Sequence, residues 1–298
     1  MIWVDGAILP DDGLRIASTD RAFEHGLGLF ETLRTWGGVP TLLESHKARM
    51  LRSAGELGLP VDPASWPDAG AVRALLEAEG ATGDRLLRVT ATGGTEASPS
   101  VVWMRSAPLP APVAEGGASL LLDAWKVAPD DALARHKSLN YWSRRRAWEA
   151  ARRLGLDEAL SGTSEDVVGD FYYEGSRSNL FLVLDWGFGV GPLGIRRPRL
   201  LTTSEAGPIV PGILRALVLE VARELPIEVE EVAGIDASWL DGRGEVFLTN
   251  AVRGIVPVGR AVLAGSGPEY RWEAPGRWTA RLVEGVARRL WPEPGGNP

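Results

Sequence analysis

The run Arg135-His136-Lys137-Ser138-Leu139-Asn140-Tyr141-Trp142 decides how this chain is read. Taken alone, a lysine between a histidine and a short polar stretch is an ordinary surface residue at a helix start. Its company changes that reading. Four further stretches, scattered over the chain, fit one site built around this amine: the helix carrying Arg49, the run Glu174 to Asn179, the turn Pro211 to Arg215, and the turn Thr249 to Arg253. Directly after the lysine, Ala147, Trp148, Ala150, Ala151 and Leu154 repeat at helical spacing up to Gly155, so Arg144-Arg145-Arg146 and Arg152-Arg153 read as a solvated helix face.

Composition excludes several kinds of function. With 298 residues the chain can bury a substantial core and is long enough for two domains. At 45% hydrophobic and 24% charged it is an ordinary globular protein, and a net charge of −7 argues against a dedicated nucleic-acid binder. Cysteine is absent, which removes disulfides and thiolate metal sites. His25, His46 and His136 are far apart and none stands in an HExxH pattern, so no protein metal site is expected. No apolar run approaches the roughly 20 residues of a membrane span, and Met1 to Gly6 lack a signal-peptide layout. The expected location is the cytoplasm, with no membrane partner.

Working outward to the N-terminus, Ile2-Trp3-Val4, Asp5-Gly6 and Ala7-Ile8-Leu9 spell a hairpin, because Asp-Gly supplies the positive φ of a tight turn. Gly26-x-Gly28 before the alternating run Leu29 to Arg34 permits close backbone approach. Leu42 to Leu57 and residues 71–79 have helical spacing, Asp84 to Thr92 and Val101 to Met104 read as strands, and the Pro/Ala/Gly-rich stretch from Ser106 to Gly117 marks a boundary. The expected division is a small domain over residues 1–105, a linker over 106–118 and a larger domain over 119–298.

In the larger domain, Ser119 to Trp125, the segment from Asp157, Phe171 to Tyr173, Leu180 to Leu184 and Glu245 to Thr249 read as strands, and Ile213 to Leu225 as a helix. Glu174 lies between two apolar runs, so it needs a buried cationic or protonated partner, or an exposed position. The glycine at Gly212, before a helix, leaves free amides aimed at any anion present. An amine, an arginine, a helix N-terminus, a second small polar turn and an isolated carboxylate are together the parts needed to hold pyridoxal phosphate.

The blocks Asp20-Arg21…Gly26-x-Gly28-x-Phe30-Glu31, His46-x-x-Arg49, His136-Lys137-Ser138-x-Asn140, Glu174-Gly175-Ser176-x-Ser178-Asn179-Leu180-Phe181, Pro211-Gly212-Ile213-x-Arg215 and Thr249-Asn250-Ala251…Pro257-Val258 follow in that order. Together they resemble the class IV, or fold type IV, family of pyridoxal-phosphate enzymes. That family contains branched-chain aminotransferases, D-amino-acid aminotransferases and aminodeoxychorismate lyases. The resemblance implies an α/β (α+β) fold of two domains, a small N-terminal α/β domain and a larger one with a barrel-like sheet, assembled as a homodimer. It implies pyridoxal 5'-phosphate as cofactor, Lys137 as the catalytic Schiff-base lysine and Glu174 as the partner of the pyridine nitrogen. Arg49, Ser178, Asn179, Gly212, Ile213, Asn250 and Ala251 complete the implied cofactor set.

The reaction is read from the substrate side. Phe30 stands where D-amino-acid aminotransferases carry a tyrosine, and Thr92 where their carboxylate-binding arginine aligns. The turn from Asn250 to Gly254 differs from the Gly-Thr-Ala pattern of branched-chain aminotransferases and resembles the lyases. His25 to Thr32 is similar to the lyase stretch and lacks the aspartate usual between the glycines in aminotransferases. The expectation is therefore an aminodeoxychorismate lyase acting on a small-molecule amino substrate, with a class IV transaminase as the alternative and a cofactor-free scaffold as a third reading. Phe30, Arg88, Tyr141 and Arg253 are the substrate candidates. Tyr141 lies one position before the tyrosine site of the branched-chain enzymes, and the segment from Ser161 to Asp170 is longer than usual for the family.

Overall fold

The computed structural model describes residues 1–163, 169–185, 197–263 and 267–291. The chain divides into two compact units, one of Met1–Ala111 with His136–Tyr141, the other of Pro112–Arg135 with Trp142–Pro298. The lysine segment thus belongs with the first unit although it follows the linker in sequence.

The first unit is built from β1 (Ile2–Val4), β2 (Ala7–Leu9), α1 (Arg21–His25), β3 (Gly28–Trp36), β4 (Val39–Pro40), α2 (Leu43–Leu57), α3 (Ala69–Ala78), β5 (Arg85–Thr92) and β6 (Val102–Pro108). Its strands form one antiparallel sheet in the order β2-β1-β6-β5-β3-β4. Asp5 and Gly6 take positive φ at the expected hairpin turn. The inward residues Leu29, Leu33, Leu87, Val89 and Met104 meet Met50 and Ala54 of α2 and Val72 and Leu75 of α3 in one core. Asp68 starts α3 by accepting the Ala71 amide at 2.8 Å, and Gly58 ends α2 in the left-handed conformation.

The second unit contains β7 (Ala118–Val127), α4 (Trp142–Arg153), β8 (Glu158–Thr163), β9 (Phe171–Gly175), β10 (Asn179–Leu184), β11 (Arg199–Thr203), α5 (Ile213–Arg223), β12 (Glu228–Val232), β13 (Ile235–Asp236), β14 (Glu245–Asn250), β15 (Gly254–Leu263), β16 (Glu269–Arg271) and α6 (Arg277–Leu290). The pairings β10-β14-β15-β7-β8-β9 close on themselves, because β9 also pairs β10 through Glu174 and Asn179. The barrel-like sheet expected from the sequence is therefore a closed six-stranded barrel. Leu120, Leu122, Leu160, Leu180, Leu182 and Leu248 gather in one cluster. The alternate residues Phe181, Val183 and Phe247 pack on α5 and α6 instead, and Leu121 and Ala159 pack on Ala147 and Ala151 of α4. Period-two side chains thus supply both faces of these strands.

Two features lie outside the sequence expectations. Helix α6 buries Trp278, Leu282 and Val286 on one side, but arginines dominate the rest of its sequence. Strand β12 reads Glu-Val-Glu-Glu-Val, with no apolar run to announce it; it is specified by parallel pairing with β11. Of the long Ser161–Asp170 segment, residues 164–168 fall outside the described residues. Its ends are pinned together where the Phe171 amide donates to Thr163 Oγ1 at 2.7 Å.

Candidate active site

In the first unit, Lys137 is held by backbone. Phe30 N donates to Lys137 O and Leu139 N to Gly28 O, each at 2.9 Å, so the lysine segment adds to the start of β3 as a one-residue bridge between Leu29 and Ser138. Gly28 makes that approach possible: a Cβ there would stand 2.6 Å from Leu139 Cδ1 and 2.7 Å from Ala91 O. This is the close approach that the glycine pair implied.

The Lys137 ammonium lies 4.3 Å from the centre of the Phe30 ring, and Tyr141 meets the same ring edge-on with centroids 5.2 Å apart. The Arg88 guanidinium stacks on Phe30 at 3.7 Å. Antiparallel register explains the stack: Arg88 and Thr90 share a face of β5, and Thr90 is opposite Phe30. Desolvation lowers the Arg88 pKa to about 10; neighbouring Arg105 lowers it further and Tyr141 opposes the change. Among the described residues no carboxylate forms an ion pair with Arg88. Phe30, Arg88 and Tyr141 therefore come together at Lys137, and the group is a cation in want of an anion beside an amine.

Arg49 lies in the same unit and is engaged by Glu31. Its Nε donates to Glu31 Oε1 at 2.8 Å and its Nη2 to Oε2 at 2.6 Å, while His46 Nδ1 lies 2.7 Å from the same Oε2. All three side chains are buried. Burial by itself would raise the Glu31 pKa, but the charge and hydrogen bonds of Arg49, aided by His46, bring it down to about 2. Desolvation lowers the His46 pKa against the pull of Glu31, with Arg49 and Lys137 adding to the fall. The sequence placed Glu31 in a motif without a role. Its signal was a carboxylate on an alternating strand opposite His46 and Arg49, three residues apart on one helix face.

In the second unit, Glu174 is buried and forms an ion pair with Arg144 of α4. The Val210 amide donates to both carboxylate oxygens at 3.2 Å, and Asn179 Nδ2 donates to Oε2 at 3.3 Å. Glu174 thus has the buried cationic partner its sequence setting required. Arg144 corrects the expectation of a wholly solvated arginine face: it shares the inward side of α4 with Ala147 and Ala151, whereas Arg145 and Arg146 are exposed.

The adjacent Ser178 and Asn179 tie three elements together. Asn179 also donates to Val210 O at 2.9 Å, and a Cβ on Gly212 would strike Asn179 Oδ1, so only glycine lets the start of α5 sit against Asn179. Ser178 Oγ donates to Glu158 Oε2 at 2.9 Å and accepts from Asn250 Nδ2 at 3.3 Å. Asn250 Oδ1 accepts the amides of Val252 at 3.1 Å and Arg253 at 2.8 Å, which shapes the turn around Ala251. Desolvation lowers the Arg253 pKa; Arg177 adds to this and Asp157 and Glu158 oppose it. Glu174, Gly212 and Asn250 are thus brought to one pair of residues, with Ile213 next in the chain after Gly212. Glu158 was not foreseen, because its neighbours come from another strand.

A closed barrel with a buried carboxylate in one unit, and an antiparallel sheet with two helices in the other, define a protein of mixed α/β architecture. The chain belongs to the amino-transferase class IV family, whose model matches residues 28–261. It is 28% identical over 255 residues to the bifunctional aminodeoxychorismate lyase / D-amino acid transaminase of Mycobacterium tuberculosis, covering 82% of this chain and 85% of that one. It is 26% identical over 266 residues to a putative branched-chain-amino-acid aminotransferase of Methanocaldococcus jannaschii, with 86% of each chain covered. Among solved structures it is similar to the 4-amino-4-deoxychorismate lyase of Pseudomonas aeruginosa, at 27% identity and a TM-score of 0.74 over 97% of this chain and 99% of that one.

Enzymes of this family work with pyridoxal 5'-phosphate. The residues of the second unit fit its phosphate. Helix α5 begins without a side-chain cap, leaving its first amides for an anion. Thr249 Oγ1, next to Asn250, is buried with no hydrogen-bond partner among the described residues. Among those residues no helix is long and apolar enough to cross a membrane.

Proposed function

We propose that this enzyme is an aminodeoxychorismate lyase, splitting 4-amino-4-deoxychorismate into 4-aminobenzoate and pyruvate. An anionic amino substrate is indicated by one observation: the desolvated Arg88 guanidinium, stacked on Phe30 beside the Lys137 amine and with no carboxylate paired to it among the described residues. The choice of lyase rests on the Thr249-Asn250-Ala251 turn, on Phe30, which has no hydroxyl to offer a substrate carboxylate, and on the similarity to proteins that carry the lyase name.

In this reading Glu174 and Asn179 would hold the cofactor with Ser178 behind them, the amides of Gly212-Ile213 and Asn250-Ala251 would receive its phosphate, and the first unit would supply Lys137 and Arg49. The chemistry supplied by bound pyridoxal phosphate is withdrawal of electrons from the carbon bearing the substrate's amine. Arg88 binds a substrate carboxylate and fixes the ring beside the lysine. The Lys137 amine takes the proton from the amine-bearing carbon. The C–O bond to the enolpyruvyl group then breaks with its electron pair leaving on oxygen as the enolate of pyruvate, the ring becomes aromatic, and the proton held by Lys137 is returned to the enolate carbon to give pyruvate. Glu174, with Arg144, Asn179 and the Val210 amide around it, would pair with the ring nitrogen. Arg253 is assigned to a second substrate carboxylate.

A class IV transaminase is the second reading, favoured by the branched-chain name of the archaeal relative. The test is to reconstitute the protein, generate 4-amino-4-deoxychorismate in situ, and follow 4-aminobenzoate and pyruvate together. Catalytic, equal appearance of both is expected, and Lys137→Ala should abolish it along with the cofactor's lysine-bound absorbance. Neither product from protein that holds its cofactor would overturn the lyase, and a panel of amino donors with a 2-oxo acid would then identify the transaminase.

A further inference from the structure

We propose that Glu158 is a positioning residue for the turn from Asn250 to Arg253, and that it acts through Ser178 by fixing the direction of a hydrogen-bond relay. The proposal rests on the reading of that turn as part of the cofactor's phosphate site.

Glu158 is buried at the start of β8, and its carboxylate accepts at both oxygens. Oε1 takes the Ser176 hydroxyl at 3.0 Å and the Arg177 amide at 2.6 Å, and Oε2 takes the Ser178 hydroxyl at 2.9 Å. Ser178 has spent its single proton on Oε2, so toward Asn250 it can only accept. Asn250 must therefore turn its Nδ2 to Ser178, which is the 3.3 Å contact observed, and this leaves Oδ1 for the amides of Val252 and Arg253. Backbone N–H groups only donate, so the two amides independently demand the same orientation. A carboxylate on β8 thereby specifies which end of an amide 92 residues later faces the turn.

A one-atom change removes the acceptor that fixes the relay's direction. In Glu158→Gln the Arg177 amide holds the new carbonyl oxygen at the Oε1 position, so the new NH2 points at Ser178. Ser178 then accepts from Gln and no longer has Oε2 to take its proton, so nothing holds its second lone pair toward Asn250 Nδ2, and the proton competes for that direction, donor against donor. Where the proton faces Asn250, Asn250 can meet it only by flipping, which places its NH2 against the two turn amides. The side chain keeps its size, so the change lies in its hydrogen bonds and in the lost charge, which also acts on Arg253 of the turn.

The experiment titrates apoprotein with pyridoxal phosphate and with pyridoxal, which lacks the phosphate, by fluorescence and absorbance, alongside thermal unfolding. Glu158→Gln should weaken pyridoxal phosphate roughly tenfold while leaving pyridoxal within twofold. Ser178→Ala interrupts the relay, so adding Glu158→Gln to it should weaken binding no further. Additive losses, or equal losses for both ligands, would overturn the positioning role and leave Glu158 a purely structural carboxylate. Asn250→Ala separates the premise: if it leaves the preference for the phosphorylated ligand intact, the turn is not the phosphate site. If it lowers that preference while Glu158→Gln does not, the premise stands and the relay falls. Ser178→Ala, which retains the charge at 158, keeps the test available should Glu158→Gln fold poorly.

Discussion

Changing Glu31 to glutamine would remove one charge from a buried site while nearly preserving its shape. Glu31 accepts Arg49 Nε, Arg49 Nη2 and a bond with His46 Nδ1, at 2.6 to 2.8 Å, with 1% of its surface exposed. Glutamine has one acceptor oxygen, so either orientation sets an amide N–H against a guanidinium N–H and withdraws the counter-charge that Glu31 supplies to Arg49. Breaking a buried pair from one side costs about 3–5 kcal/mol, and the fall in the Glu31 pKa from 4.5 to about 2 corresponds to roughly 3 kcal/mol. Urea unfolding followed by circular dichroism should show that loss as a lower midpoint at unchanged slope. The pH dependence follows from the depressed pKa. Stability contributed by the charged Glu31 is fully present above pH 4.5 and is lost as the pH falls through about 2, so the gap between parent and variant should narrow across that window. A loss below about 1 kcal/mol at neutral pH, or a gap constant from pH 6 to pH 3, would refute the reasoning.

Three further substitutions probe the lysine's surroundings and the turn that leads into them. Arg88→Gln should raise KM for an anionic substrate about 10- to 100-fold, with a smaller fall in kcat, because a charge-assisted hydrogen bond to a carboxylate is worth about 1.5–3 kcal/mol; an unchanged KM in steady-state kinetics would remove Arg88 from the substrate site. Gly28→Ala should lower stability by about 1–3 kcal/mol in thermal unfolding and loosen the lysine segment, since the added methyl meets Ala91 O at 2.7 Å. Gly26→Ala, with φ at +68° and open space around it, should lose only about 1 kcal/mol.

What the sequence determined by itself is whatever depends on neighbours along the chain. The hairpin, helices α2 to α5 and several barrel strands were legible because Asp5-Gly6, the period of Leu43 to Leu57 and the apolar run Leu180 to Leu184 are local signals. The requirement that Glu174 find a cation was legible too, because burial between apolar runs has a free-energy cost that must be met. Which cation met it was not: Arg144 sits in a run of three arginines that look alike, and only the packing of α4 through Ala147 and Ala151 turns one of them inward. The pairing of Glu31 with Arg49, the stack of Arg88 on Phe30 and the relay from Glu158 to Asn250 likewise join residues 18, 58 and 92 positions apart. Such partners are chosen by strand register and barrel closure, which place side chains from distant segments on a common face. Hydrogen-bond direction, fixed over about 3 Å, was decided only once the fold had brought donors and acceptors together.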